Sequence, residues 1–312
     1  VEATRVVKVT ERLTSIEEAE TAIKAARVRA AFILPDDLSQ RVARSPAANL
    51  GTPPSTDEET SRPVAQWIVD GSDTMIAGAI KSLRSMPLSE IFRQPPNRST
   101  PTFEVALFFN PEQRTAVNIV PGLVGIILTM TMIMFTSAAI VRERERGNME
   151  MLINTPVKPL ELMIGKIIPY IFIGLLQMVI ILGLGHYLFN VPIDGNMIDL
   201  LVGTLLFIGA SLSLGLVLST IAKSQLQATQ MTVFVLLPSI LLSGFMFPYE
   251  GMPVAAQYIA EAFPATHFMR MIRGFILRDA SLFDLYRDVL WMCGFFILGM
   301  IVAALRFKKR LD

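Results

Sequence analysis

"TAVNIVPGLVGIILTMTMIMFTSAAIVRERERGNMEM", residues 115–151, joins two chemistries that seldom meet. Residues 115–141 carry no charge, and 142–150 then hold six ionisable groups: Arg142, Glu143, Arg144, Glu145, Arg146 and Glu150. An uncharged run of that length suits a bilayer, whose hydrocarbon core takes about 20 apolar helical residues to cross. Four more such runs follow, at 167–193, 200–222, 224–249 and 289–305. The last holds 17 residues, with Tyr286 and Trp291 at its start, where an interfacial aromatic belt belongs. Composition agrees: 52% of the 312 residues are hydrophobic and 18% charged, against about 25% charged in soluble domains. The expectation is an all-α membrane bundle, with spans at about 116–141, 164–189, 199–222, 226–248 and 287–306.

Lys and Arg between the spans set the orientation. One side collects ten: Arg142, Arg144, Arg146, Lys158, Lys166, Lys223, Arg306, Lys308, Lys309 and Arg310. The other has four: Arg270, Arg273, Arg278 and Arg287. The richer side is expected to be cytoplasmic, which places the C-terminus inside and residues 1–113 outside. A domain outside needs a segment to carry it across, so a further spanning helix ahead of Val1 is expected, six in all.

Residues 1–113 read as a small mixed α/β domain. RVVKVT (5–10) alternates like a strand, and Ser15 with Glu18 forms a capping box for a helix. Residues 30–34, 64–69 and 103–109 read as strands, and 36–43 and 72–86 as helices. The Pro-, Gly- and Ser-rich stretch 45–62 reads as a loop.

Several chemistries are excluded by pattern. No phosphate-cradling GxxxxGK[ST], no HExxH and no GxSxG occurs, and the uncharged runs hold no Asp or Glu for a proton relay. Cys293 is the single cysteine, so neither a disulfide framework nor a cysteine-based zinc site is expected. A net charge of +1 gives no reason to expect nucleic acid. The sequence predicts a non-enzymatic chain without a resident cofactor or metal.

Within the spans, Gly203, Gly209, Gly215, Ser211 and Ser213 permit close helix approach, and ordinary packing is the expected role. Asn118, Pro121, Gln177, His186 and Pro238 are polar or kinking positions at membrane depth or its edge, with His186 expected at an interface. Residues 250–286 hold two apolar helical patterns, 254–262 and 268–277, split by Pro264, and read as a re-entrant pair outside the cytoplasm.

The charged block continues the first helix out of the bilayer, where arginines snorkel and Glu143 can pair with Arg146. Gly147 ends or bends that helix. Met149, Met151, Leu152 and Ile153 then form an apolar face too short to span, which lies on lipid or docks into a partner's groove.

This stretch resembles the first intracellular loop of ABC-2-type transporter permeases, E-R-E-x-G-x-x-E-x-L…T-P…E…G-K. The matching residues are Glu143, Arg144, Glu145, Gly147, Glu150, Leu152, Thr155, Pro156, Glu161 and Gly165-Lys166. "LSGFMFPYEGMP" (242–253) with "FPATHFMRMIRG" (263–274), and "WIVDGSDTMIAGAI" (67–80), are similar to other parts of the bacterial six-helix exporters. The resemblance implies a permease in the bacterial inner membrane, paired with a second permease copy or paralogue. It also implies two separate ATP-binding subunits that carry ATP and Mg, and a coupling loop at 142–163 resting on them. A periplasmic adaptor contacting the outer domain would be a further partner. The substrate path would lie at the dimer interface, with Asn118, Pro121, Phe234, Pro238 and Ser243 as candidates. The function so implied is export of an amphiphilic or drug-like molecule. The rivals are a membrane sensor or receptor with an outer ligand-binding domain, and an assembly factor that transports nothing.

Overall fold

The computed structural model describes residues 7–39, 41, 65–71, 74–82, 103–147, 159–193 and 195–306, and the chain divides into two units, Val1–Thr115 and Ala116–Asp312.

In the first unit, α1 (Ile16–Lys24) starts at Ser15, whose Oγ accepts the Glu18 N–H at 3.1 Å. The Glu18 carboxylate bypasses Ser15 and accepts from the Thr14 N–H and hydroxyl, both at 3.0 Å. Those two bonds hold the Glu18 carboxyl below the usual carboxylate range. Strands β1 (Ala30–Ile33), β2 (Ala65–Asp70) and β3 (Phe103–Phe108) form a sheet in the order β1-β2-β3, with α2 (Thr74–Ser82) between β2 and β3. β1 runs antiparallel to β2 (Ala30 opposite Val69), and β3 runs parallel to it (Trp67 opposite Val105). A parallel pair needs a crossover, and α2 supplies it. Buried Trp67 and Val69 of β2 pack against Ala77 and Ile80 of α2, and the Phe32 ring lies 4.5 Å from that of Trp67. The alternating run 5–10 does not become a strand where it is described: residues 7–10 have no regular structure. Alternation makes a strand only where a sheet edge takes it. The expected loop 45–62 lies outside the described residues, as do 40, 42 and 43 of the helix expected at 36–43, of which 38, 39 and 41 are helical.

The second unit is helical: α3 (Thr115–Glu145), α4 (Pro159–Phe189), α5 (Met197–Ile221), α6 (Gln225–Leu242), a 3-10 turn (Tyr249–Gly251), α7 (Val254–Ala260), α8 (Pro264–Leu277) and α9 (Tyr286–Arg306). Five of these are long and apolar enough to cross a membrane: α3, α4 from Met163 onward, α5, α6 and α9. α6 stops at Leu242, short of the expected 248, and Gly244 follows at φ +83°, a conformation that ends helices.

α5 is the centre of the bundle. In its most apolar window 67% of residues are buried, against 22% in each of α4, α6 and α9. Its small residues let neighbours close in. Beside Gly215 the Ile133 backbone oxygen of α3 would lie 2.9 Å from any Cβ, and Gly209 lies against Phe296 of α9. α8 fills the same core, with every residue except Arg270 buried. Phe268 stacks on Phe207 of α5 at 3.9 Å and 3°, and Phe275 and Met271 cover Gly203. The helix begins at Pro264 rather than Phe268, because proline's fixed φ suits the first helical position.

Polar contacts also cross between helices. The Thr131 hydroxyl of α3 donates to Gln177 Oε1 of α4 at 2.9 Å, and the hydroxyls of Ser137 (α3) and Thr232 (α6) lie 3.4 Å apart. His186 ends α4 locally, its Nδ1 lying 3.0 Å from the Val191 carbonyl.

Candidate functional site

Four of the five alternating charges at the end of α3, Arg142 to Glu145, reach across to neighbouring helices while staying in contact with solvent. Glu143 pairs with Lys166 of α4, and not with Arg146. Arg144 reaches the last turn of α5, where Nη1 donates to the Ala222 carbonyl at 3.1 Å and Nη2 to the Ser219 carbonyl at 3.4 Å. Glu145 meets the first residue of α6: Oε1 accepts the Gln225 N–H at 2.9 Å, and Oε2 accepts the Gln225 side-chain amide at 2.5 Å. Arg142 Nε donates to Gln225 Oε1 at 3.2 Å.

The physical reason is the turn at residues 222–224, which sets the C-terminus of α5 beside the N-terminus of α6. A helix end offers unpaired carbonyls and partial negative charge, and a helix start offers unpaired N–H groups and partial positive charge. Arg and Glu in succession match those two poles. Beneath the polar contacts, Val141, Ala222 and Ala228 form a small buried cluster with Met231 packed on it. Ser224 caps α6 by accepting the Gln227 N–H at 3.2 Å, and Gln227 Oε1 in turn accepts the Lys223 N–H at 2.7 Å.

Gly147 ends the helix in the left-handed region at φ +71°, with no described residue within 4 Å of a would-be Cβ. Glu161 lies exposed in the first turn of α4. The remaining loop candidates, Glu150, Leu152, Thr155 and Pro156, lie outside the described residues. Sequence reading passed over Gln225, which takes three of these bonds. The pattern Ser224-x-x-Gln227 directly after Lys223 is a capping box, and it could have located the start of α6.

The path candidates separate into two sets. Pro121 is buried within α3, and the Asn118 Oδ1 beside it is buried with no hydrogen-bond partner among the described residues. Gly122 lies against the Phe245 ring, two residues beyond buried Ser243, so these share one end of the bundle. The Ser243 hydroxyl donates to the Ile240 carbonyl of its own helix at 3.3 Å. Phe234, by contrast, is 77% exposed on α6, and Pro238 on the same helix is half-buried.

A second polar cluster binds α8 to α9. His267 Nδ1 lies 2.7 Å from Asp288 Oδ1, and its Nε2 3.1 Å from the Glu261 carbonyl. Its ring stacks on Trp291 at 4.0 Å. Arg270 pairs with Glu261 and, at 3.4 Å, with Asp288, and its guanidinium lies 4.5 Å from the centre of the Tyr249 ring. Burial raises the Glu261 carboxyl, and bonds from Arg270 and Tyr249 outweigh that and hold it below the usual range. Burial and Glu261 together raise the Tyr249 hydroxyl.

Five apolar helices, four of them around a buried α5 and tied at one end by charges on helix termini, define a multi-pass membrane protein. The model of a family described as ABC-2 family transporter protein matches residues 1–305. The probable multidrug ABC transporter permease YbhS of Escherichia coli K12 is 30% identical over 297 residues, covering 93% of this chain and 75% of that protein. Its namesake YbhR is 29% identical over 231 residues, covering 72% and 62%. ABC transporter G family member 20 of Dictyostelium discoideum is 28% identical over 216 residues, covering 69% and 28%. The chain belongs to the ABC-2 transporter family and is a transport permease rather than an enzyme.

Proposed function

We propose that this permease moves an amphiphilic or drug-like molecule outward across the bacterial inner membrane, driven by a separate ATP-binding subunit. It works with a second permease, a copy or a paralogue, and the substrate path runs between them past Asn118, Pro121, Phe234, Pro238 and Ser243. ATP and Mg belong to the partner ATPase. Residues 1–113 face outward, where a periplasmic adaptor would meet them. The C-terminus is cytoplasmic, and α7 with α8 forms a re-entrant pair on the outer side.

The observation that carries this reading is the convergence of α3, α4, α5 and α6 at Arg142–Glu145, where a displacement of one loop can reach four helices. Glu143, Arg144 and Glu145 bond to neighbouring helices, and the segment after Gly147, with Glu150 and Leu152 foremost, carries the contact with the ATPase. The multidrug names of YbhS and YbhR support the substrate class.

The test replaces both contact residues, Glu150→Ala with Leu152→Ala, in the permease purified with its ATPase. The expected result is loss of co-purification and of permease-dependent ATP turnover in liposomes. Intact assembly with unchanged turnover would overturn the docking role.

A further inference from the structure

The contacts of Arg142, Arg144 and Glu145 have a mechanical consequence. All three go to one small target, the turn 222–224 with the residues that flank it, and none goes to solvent alone. Ala222 is fully buried, and Lys223, Ser224 and Gln227 are engaged in the cap of α6. Further along the same two helices, Ser137 and Thr232 place their hydroxyls 3.4 Å apart. α3 and α6 are therefore tied at two levels, with the buried Val141, Ala222 and Ala228 cluster between. Past Glu145 the chain turns at Gly147, where no described residue lies within 4 Å of a would-be Cβ.

We infer that Arg142, Arg144, Glu145 and Gln225 are positioning residues, a clamp that makes α3 and α6 one rigid body. A push arriving through the loop beyond Gly147 then shifts α6 together with α3, and is not absorbed by bending at the end of α3. This rests on the coupling reading above and adds to it which helix is driven and by which residues. The alternation of charge follows from the task. An Arg alone holds the end of α5 and a Glu alone the start of α6, but only the pair fixes the turn from both sides.

The experiment uses the full permease with its ATPase in liposomes, in a Cys293→Ser background, with cysteines introduced as Ser137→Cys and Thr232→Cys. Disulfide yield under a fixed oxidant pulse is measured without nucleotide and after trapping with ATP and vanadate. With the clamp intact the yield is expected to be the same in both states. With Arg144→Ala added, trapping is expected to lower the yield about fivefold or more, since the driven end of α3 then moves without α6. Gln225→Ala, a milder change, is expected to shift it in the same direction. A nucleotide-dependent yield in the intact clamp would overturn the inference, and so would an Arg144→Ala protein indistinguishable from it. Co-purification is read on the same samples. Arg144→Ala is expected to keep the ATPase, and its loss would assign Arg144 to docking and overturn the clamp. Failure of docking itself shows separately, as unchanged assembly in the Glu150→Ala, Leu152→Ala protein.

Discussion

At the residue scale, Glu261 shows how ionisable groups persist in an apolar bundle. Burial opposes its charge, yet Arg270 and Tyr249 supply enough hydrogen bonding to depress its pKa. A carboxyl whose folded pKa is depressed contributes stability above its unfolded value of about 4.3, and loses it as pH falls through the folded value. Glu261→Gln is therefore expected to lower the melting temperature of the detergent-solubilised protein at pH about 7, with the gap to the parent closing below about pH 4. A gap constant across that range would show that Glu261 acts by shape and not by charge. The same scale explains what sequence reading could and could not see. Arg142 to Glu145 stood out as an anomaly because their neighbours carry no charge. Their partners did not, since Ala222 and Ser219 take part through backbone carbonyls that no side-chain pattern records.

At the scale of elements, the spans were legible because a bilayer imposes length and apolarity together, and α3, α4, α5 and α9 follow the uncharged runs closely. α8 was harder. His267, Arg270 and Arg273 interrupt its apolar pattern, and Asp288, on another helix, pairs with His267 and Arg270 where the helix enters the core. Pairing across elements has no local signature. The glycines of α5 were visible as small residues, and the structure shows which of them admit a neighbour's backbone. At Gly215 a Cβ would meet Ile133 oxygen at 2.9 Å and Thr136 Cβ at 3.0 Å. Backbone cannot step aside as a side chain can, so Gly215→Val is expected to cost about 1–3 kcal/mol through overpacking. Exposed Gly294 of α9 has nothing within 4 Å of a would-be Cβ. There Gly294→Ala is expected to be neutral or to gain up to about 1 kcal/mol from helix propensity. Thermal unfolding of the two variants in one detergent checks the pair, and equal effects would rule out a close α3–α5 approach.

At the scale of the whole molecule, the bundle sorts its helix ends into two groups. The end of α3, the start of α4, the end of α5 and the start of α6 meet around Arg142–Glu145, Lys166, Ala222 and Gln225. At the opposite end Gly122 of α3 meets Phe245 beyond α6, and Gly195 before α5 meets the Phe275 backbone of α8. Geometry alone gives this parity but not its sense, because no feature of the packing distinguishes inside from outside. The expected sense comes from charge: within residues 115–312, the segments expected inside carry ten Lys and Arg and those expected outside four. Cationic side chains near spans are retained on the cytoplasmic face. The prediction uses single cysteines in a Cys293→Ser background, Ser55→Cys in the first unit and Asn148→Cys just past Gly147. A small membrane-impermeant maleimide added to intact cells is expected to label position 55 readily, and position 148 only after the inner membrane is opened. Labelling of 148 alone in intact cells would reverse the orientation. It would place the loop at 142–163 out of reach of any ATPase in the cytoplasm, and coupling through that loop would have to be abandoned with it.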